Sequence, residues 1–140
     1  MIVADSTYIV EGLVEERELF KQDEDILTLD LAIYEVMNAV WKRRFLLKDL
    51  DDGQAYLSFF FEAIESDIFR IVQPDPHLIQ RTYDLSAKYK KLVYDSAFVA
   101  LALEVGAELK TFDKGQKRIY DSERKIRKNH RYSTETDNVS

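Results

Sequence analysis

Residues 95–113 read DSAFVALALEVGAELKTFD, and the pattern of this stretch indicates the fold class most clearly. Residues 96–103 are apolar nearly all round, which is typical of a helix buried at the centre of a domain. The helix ends near Gly106, and residues 108–112 then have the apolar pattern of a short strand. A central helix that leads directly into a strand is typical of an α/β domain.

The same alternation of helices and strands extends toward the amino terminus. Short apolar runs predict strands at residues 1–4, Ile26–Leu29 and Phe69–Val72. Helical patterns lie between these strands and after the last of them, at about residues 8–21, 30–44, 51–66 and 76–89. Strands that alternate with helices are joined by right-handed crossovers and form a parallel sheet. The sequence therefore predicts an α/β fold of three layers, α/β/α, around a central parallel sheet of four to five strands.

The composition restricts the chemistry and the location of the protein. A chain of 140 residues that is 46% hydrophobic can form one domain with a substantial core. The chain has no cysteine and only two histidines, so a bound metal would need oxygen ligands. No apolar run reaches the roughly 18 to 20 residues of a membrane span, and the opening MIVADSTYIV lacks the features of a signal peptide. We therefore expect a cytoplasmic protein that binds no membrane.

Three aspartates belong to elements whose ends meet at one edge of the predicted sheet. Asp5 ends the first strand, Asp113 follows the last strand, and Asp95 precedes the central helix. Ligands of open α/β folds bind at the carboxyl ends of the strands. Each residue also has a structural explanation, Asp95 as a helix N-cap and the other two as turn residues. Together they favour a cation site, because neighbouring carboxylates repel one another unless a cation lies between them.

Glu35 is a fourth candidate that periodicity alone does not place. Its helix has a predicted packing stripe at Ile33, Val36, Met37, Val40 and Trp41. Glu35 points nearly opposite this stripe, with Asn38 and Lys42 beside it, as on a solvated face. A helix can also lean its first two turns over the strand ends, where Glu35 and Asn38 share a face. Both interpretations stay open at this point.

Charge is distributed unevenly along the chain. Residues 1–113 carry 12 Lys and Arg against 22 Asp and Glu, whereas residues 114–140 carry 8 against 4. We therefore predict a domain of residues 1–120 and a basic C-terminal tail of residues 121–140. The tail is either a solvated end or an arm that contacts phosphate groups. The candidate phosphate contacts are Lys42, Arg43, Arg44, Arg124, Lys125, Arg127 and Lys128.

Four segments give the chain a family resemblance. They read IVADST at residues 2–7, AIYEVMNA at residues 32–39, YDSAFVALA at residues 94–102 and LKTFD at residues 109–113. In order and spacing they resemble the PIN-domain ribonucleases, in particular the VapC toxins of toxin–antitoxin pairs. The resemblance covers about residues 1–120. Many members carry a further acid three residues beyond Asp113, where this chain has Gln116, which puts a firmly held second metal ion in doubt.

The resemblance implies a site and an activity. It makes Asp5, Glu35, Asp95 and Asp113 the catalytic, metal-binding acids, and Mg²⁺ or Mn²⁺ suits such oxygen donors. Ser6, Asn38 and Thr111 would orient these carboxylates by hydrogen bonds. The activity implied is metal-dependent hydrolysis of RNA phosphodiester bonds by the toxin of a toxin–antitoxin pair. The partners implied are an RNA substrate, a VapB-like antitoxin and a second copy of the chain.

Other functions compete with this interpretation. A housekeeping RNA-processing nuclease of the PIN type would carry the same acids, and a non-catalytic PIN-like binding module would not need all four. A phospho-receiver domain is also doubly wound, but it requires adjacent acids after its first strand. Here Asp5 is followed by Ser6-Thr7, which disfavours the receiver interpretation.

Overall fold

In the part of the chain that the structure describes, the apolar runs form four parallel strands at the centre of the molecule. The computed structural model describes residues 1–15, 17–20 and 24–139, and for residue 17 and residues 130–139 the backbone alone. The strands are β1 (Ile2–Ala4), β2 (Ile26–Leu29), β3 (Phe69–Val72) and β4 (Glu108–Lys110). Their order in the sheet is β3-β2-β1-β4, with Ile2 paired to Ile26 on one side and to Glu108 on the other. Every residue of β1 and β2 is buried, as expected of strands covered on both faces.

Six α-helices of the described residues cover the two faces of this sheet. They are α1 (Ser6–Val14), α2 (Leu31–Phe45), α3 (Gln54–Glu65), α4 (Pro76–Tyr89), α5 (Val93–Val105) and α6 (Lys114–Val139). Helices α1, α2 and α3 pack together in one layer, and α5 packs between α4 and α6 in the other. The predicted three-layer α/β fold with a parallel sheet is therefore confirmed. No helix of the described chain is long and apolar enough to cross a membrane.

The central helix α5 begins earlier than its sequence pattern indicates. It starts at Val93, and Leu92 occupies the N-cap position without a side-chain cap. The interpretation of Asp95 as an N-cap is therefore wrong, because Asp95 lies inside the first turn. Residues 98–103 are all buried, which confirms the predicted central position of this helix.

The packing face of α2 differs from the predicted stripe. The buried residues are Ala32, Val36 and Val40, whereas Met37 and Trp41 are exposed. Small side chains at every fourth position bring α2 close to its neighbours, and the larger apolar residues then lie on the outer side. This rotation of the helix brings Glu35 to the border of the buried face.

The two ends of the chain also refine the prediction. The first predicted helix consists of α1 and a short 3₁₀ helix, Arg17–Phe20, and its predicted end at Lys21 lies outside the described residues. Helix α6 crosses residue 120 without a break. Tyr120 donates a hydrogen bond to the carbonyl of Ala107 at 2.8 Å, and Arg127 donates one to the carbonyl of Leu103 at 2.8 Å. The division of the chain at residue 120 stays a prediction.

Gly12 is the position where the contact between α1 and the aromatic core is closest. A Cβ atom at Gly12 would overlap the ring of Phe20. That ring packs edge-on against Phe69, with 5.0 Å between the ring centroids. We therefore expect Gly12→Ala to lower the free energy of unfolding by about 1–3 kcal/mol, because Phe20 must leave its position.

Urea unfolding of a double-mutant cycle tests this expectation. In a Phe20→Ala background the overlap is absent, so Gly12→Ala should cost much less there than in the parent protein. Equal costs in the two backgrounds would show that the Phe20 ring is not what requires glycine at this position.

Candidate active site

Asp5 is a buried acid whose side chain is held in one orientation. It lies at the end of β1, serves as the N-cap of α1 and is fully buried. Its Oδ1 accepts hydrogen bonds from the hydroxyl of Thr7 at 2.7 Å and from the backbone N–H of Tyr8 at 3.0 Å. Its Oδ2 accepts one from the hydroxyl of Thr111 at 2.6 Å. Both oxygens of the carboxylate therefore have a defined direction.

The segment after β4 brings Asp113 to the same edge of the sheet. The backbone N–H of Asp5 donates to the carbonyl of Lys110 at 3.2 Å, which joins the two strand ends. The backbone N–H of Asp113 donates to the hydroxyl of Thr111 at 2.9 Å. Asp113 Oδ1 in turn accepts from the backbone N–H of Gln116 at 3.0 Å and so caps the start of α6. Thr111 thus links the positions of Asp5 and Asp113.

Helix α2 supplies Glu35 from the other side of Asp5. The side chain is half-buried, and its Oε1 accepts a hydrogen bond from the hydroxyl of Ser6 at 3.2 Å. Ser6 is the first residue of α1, so one turn of chain holds Asp5 and positions Glu35. Periodicity left the placement of Glu35 open, and the structure places it beside the other acids.

Asp95 completes the group from the first turn of α5. Burial and the charge of Asp113 raise the pKa of Asp95. The charge of Lys91 and the polar side chain of Gln116 lower that pKa less strongly, so the net shift is upward. Asp95 therefore lies close enough to Asp113 for the two charges to interact.

The acids destabilise one another's ionised forms. Burial is the largest cause that raises the pKa of Asp5, and the charge of Asp113 adds to it. Burial likewise raises the pKa of Glu35 most, and the charges of Asp5 and Asp95 raise it further. A low-polarity setting and like charges both disfavour carboxylate anions. A cation among these side chains would relieve both penalties.

The donor set fits a hard divalent cation. Four carboxylates without thiol or imidazole are the ligands that Mg²⁺ and Mn²⁺ prefer. Gln116 is also buried, and its Oε1 has no hydrogen-bond partner among the described residues. Such an oxygen normally finds a partner, for example a cation or an ordered water molecule. Within the described residues no three acidic or histidine side chains already form a metal-binding group, so the carboxylates would have to converge on the ion.

Three residues near the acids contribute to the site although the sequence did not indicate this role. Thr7 binds Asp5 and also accepts the backbone N–H of Phe112 at 3.0 Å. Gln116 and Lys91 both act on Asp95. A hydroxyl two residues after a strand-end aspartate is a signal that could have indicated Thr7, whereas Lys91 and Gln116 reach Asp95 only through the tertiary fold.

The structure keeps several predicted site residues away from these acids. Asn38 is exposed and makes no hydrogen bond to them in the described chain. Lys42–Arg44 form the last turn of α2, and Arg43 is bound there by Asp49 at 3.0 Å and by Glu15 at 3.1 Å. Four of the basic side chains of α6 line a groove beside the amino end of β4, at the opposite end of the sheet from Asp113. They are Arg124, Lys125, Arg127 and Lys128.

Comparison with known proteins identifies the family of this chain. A family model described as PIN domain matches residues 2–122. The chain belongs to the PIN domain family. The resemblance of its four motifs to that family is thereby confirmed.

Individual PIN proteins support the same assignment. Ribonuclease VapC3 of Pyrobaculum aerophilum is 36% identical over 113 residues, which are 76% of this chain and 81% of that protein. The crystal structure of PAE2754, also from Pyrobaculum aerophilum, has a TM-score of 0.67 at 22% identity and covers 84% of this chain and 83% of that one. A toxin-antitoxin complex from Klebsiella pneumoniae contains a chain with a TM-score of 0.62 at 17% identity, covering 81% and 87%. The two structures share the PIN fold with this chain.

The raised pKa of Asp5 predicts a specific pH dependence of stability. A carboxyl group whose pKa is higher in the folded protein than the ordinary value of 3.8 binds its proton more tightly in the folded state. Stability linked to this group therefore increases as the pH falls through the folded pKa and is lost as the pH rises again. Asn at this position can still accept from Tyr8 and donate to Thr111. We expect Asp5→Asn to be at least as stable as the parent at about pH 7 and to gain less stability on acidification to about pH 4.

Urea unfolding at several pH values measures the difference between the two proteins. Metal-free protein is required, because a bound cation would stabilise the folded parent. A large loss of stability in Asp5→Asn at both ends of the pH range would contradict the expectation, since it would make the ionised carboxylate a net stabilising cap.

Proposed function

We propose that this PIN protein is a metal-dependent endoribonuclease that hydrolyses RNA phosphodiester bonds and acts as the toxin of a toxin–antitoxin pair. The observation that carries the proposal is the buried carboxylate of Asp5, held in a fixed direction among three further acids. Burying a carboxylate among other acids is energetically unfavourable. A phosphodiesterase can use such acids to hold the divalent cation that its reaction needs. The 36% identity to a ribonuclease supports RNA as the substrate.

The proposed ligands follow from the positions of the acids. Asp5 and Asp95 would hold Mg²⁺ or Mn²⁺ directly, and Asp113 would hold it directly or through a water molecule. When bound, the ion would polarise the phosphate and acidify water. Thr7 and Thr111 would keep Asp5 in its ligand orientation through the hydrogen bonds that they already donate.

Glu35 is the proposed acceptor of the proton from the attacking water. Ser6 binds Oε1 and leaves Oε2 without a hydrogen bond in the described chain. The raised pKa of Glu35 brings its basicity nearer to what a general base needs close to neutral pH. Ser6 would therefore orient the carboxylate, and Oε2 would orient the water and take its proton.

The proposed partners would use surfaces other than the acids. Helix α2 has an outward face with large exposed apolar side chains, namely Tyr34, Met37, Trp41 and Phe45. Exposed apolar patches often mark contacts with other proteins. We include a VapB-like antitoxin and a second copy of the chain as candidates for such a surface, and the toxin-antitoxin complex of the same fold supports the first.

A cytoplasmic location and RNA contacts by the cations of α2 and α6 also belong to this proposal.

Cleavage of a labelled single-stranded RNA tests the proposed activity. We expect cleavage with Mg²⁺ or Mn²⁺ and none after exhaustive EDTA treatment, with recovery when the metal is restored. Asp95→Asn should abolish cleavage, and Glu35→Gln should lower kcat by about 100-fold, the scale of general base catalysis.

The matched control is Glu62→Gln, which neutralises an exposed acid on α3. It should cleave RNA at the rate of the parent. This result would show that the loss of one negative charge elsewhere does not cause the lower activity of the Asp95 and Glu35 variants. Full activity of the parent in EDTA, or of Asp95→Asn with metal, would overturn the proposal.

A further inference from the structure

Lys91 lies close to the acidic site, although no pattern in the sequence predicts this position. It lies in the three-residue connection between α4 and α5. Lys90 has a left-handed backbone conformation, with φ of 54°, and ends α4. The backbone N–H of Lys91 then donates to the carbonyl of Ser86 at 3.3 Å. This turn fixes the backbone from which the Lys91 side chain extends.

The ammonium group of Lys91 lies close to two of the acids. Lys91 Nζ and Asp113 Oδ1 flank the same point, because a Cβ atom on Gly115 would lie 3.2 Å from the first and 3.1 Å from the second. A side chain at residue 115 would therefore crowd both groups, and glycine avoids this close contact. The charge of Lys91 also acts on Asp95. The ammonium group thus lies near Asp95 and Asp113 together.

Two properties of Lys91 within the described chain favour contact with an anion at the site. It is the only cation there that influences the pKa of Asp5, Glu35 or Asp95. It also has no ion pair within 4.0 Å in that part of the chain, whereas two other lysines, one on α4 and one on β4, are engaged. Lys88 binds Glu123 at 2.8 Å, and Lys110 binds Glu108 at 3.1 Å. The Lys91 ammonium group is therefore available to an incoming anion.

We propose that Lys91 binds the phosphate whose ester bond is cleaved, an inference that rests on the proposed ribonuclease function. A phosphodiester carries one negative charge on its nonbridging oxygens, and the four acids repel it. An ammonium group beside Asp95 and Asp113 attracts the phosphate to the place where those acids hold the metal. Lys91 then contributes mainly to substrate binding, and its loss is felt more in KM than in kcat.

The test compares cleavage of one single-stranded RNA by the parent, Lys91→Gln, Lys91→Arg and Lys90→Gln at saturating Mn²⁺. Lys90→Gln removes the same charge from the exposed side chain of the neighbouring residue and keeps a non-glycine residue at the left-handed position, so the backbone of the turn is retained. We expect Lys91→Gln to raise KM by about tenfold, the effect of one charged hydrogen bond. Between 50 and 200 mM salt, the log–log slope of kcat/KM should flatten by about 0.7, the value for one phosphate contact to a single strand. Lys91→Arg should restore most of the loss, and Lys90→Gln should match the parent.

Three outcomes would overturn the inference. Equal KM and salt slope for Lys91→Gln and Lys90→Gln would remove Lys91 from substrate binding and leave the ribonuclease proposal intact. An unchanged KM with half-maximal activity at a lower Mn²⁺ concentration would make Lys91 only a counter-ion of the acids. A parent protein that cleaves no RNA under any metal condition would overturn the ribonuclease proposal and this inference together. Melting temperatures of all variants, expected to match the parent because both lysines are exposed, check folding.

Discussion

The burial of one ionisable carboxylate constrains most of this structure. Asp5 loses contact with solvent at the end of the central strand β1, so its oxygens must be satisfied by protein donors. Thr7 and Tyr8 provide them from the start of α1, and Thr111 provides one from the chain that follows β4. These bonds join elements more than a hundred residues apart in sequence. They also fix the edge of the sheet at which the other acids meet.

The polar network around Asp5 stabilises the geometry without removing the electrostatic conflict. Hydrogen bonds from Thr111, Thr7 and Tyr8 lower the pKa of Asp5, yet burial raises it more. Glu35 and Asp95 show the same net upward shift, with neighbouring acids as contributors. Natural proteins keep such conflicts at functional sites, where a ligand resolves them. Lys91 relieves a part of the conflict at Asp95, and a divalent cation would relieve far more.

The sequence predicted the fold well because the strands and α5 are strongly apolar, and strongly apolar elements are stable in the buried interior. The acids at strand ends followed from the topology, since parallel strands bring their carboxyl ends to one edge. The error on α2 arose because Met37 and Trp41 are more hydrophobic than Ala32, while close packing of helix and sheet selected the smaller residue. Lys91 reaches the site through a left-handed turn at Lys90, and no local pattern predicts where such a side chain points. Arg124, Lys125, Arg127 and Lys128 of α6 were predicted as candidate phosphate contacts, and the length of the helix places them at the far end of the sheet from the acids.

The central claim is that the acids at this edge form one site for a divalent cation. Isothermal titration of Mn²⁺ into metal-free protein tests it most directly, with Asp95→Asn as the site variant and Glu62→Gln as the control. We expect Mn²⁺ to bind the parent and the control equally and to bind Asp95→Asn at least about tenfold more weakly. Equal Mn²⁺ affinity in all three proteins, or no binding to the parent, would contradict it.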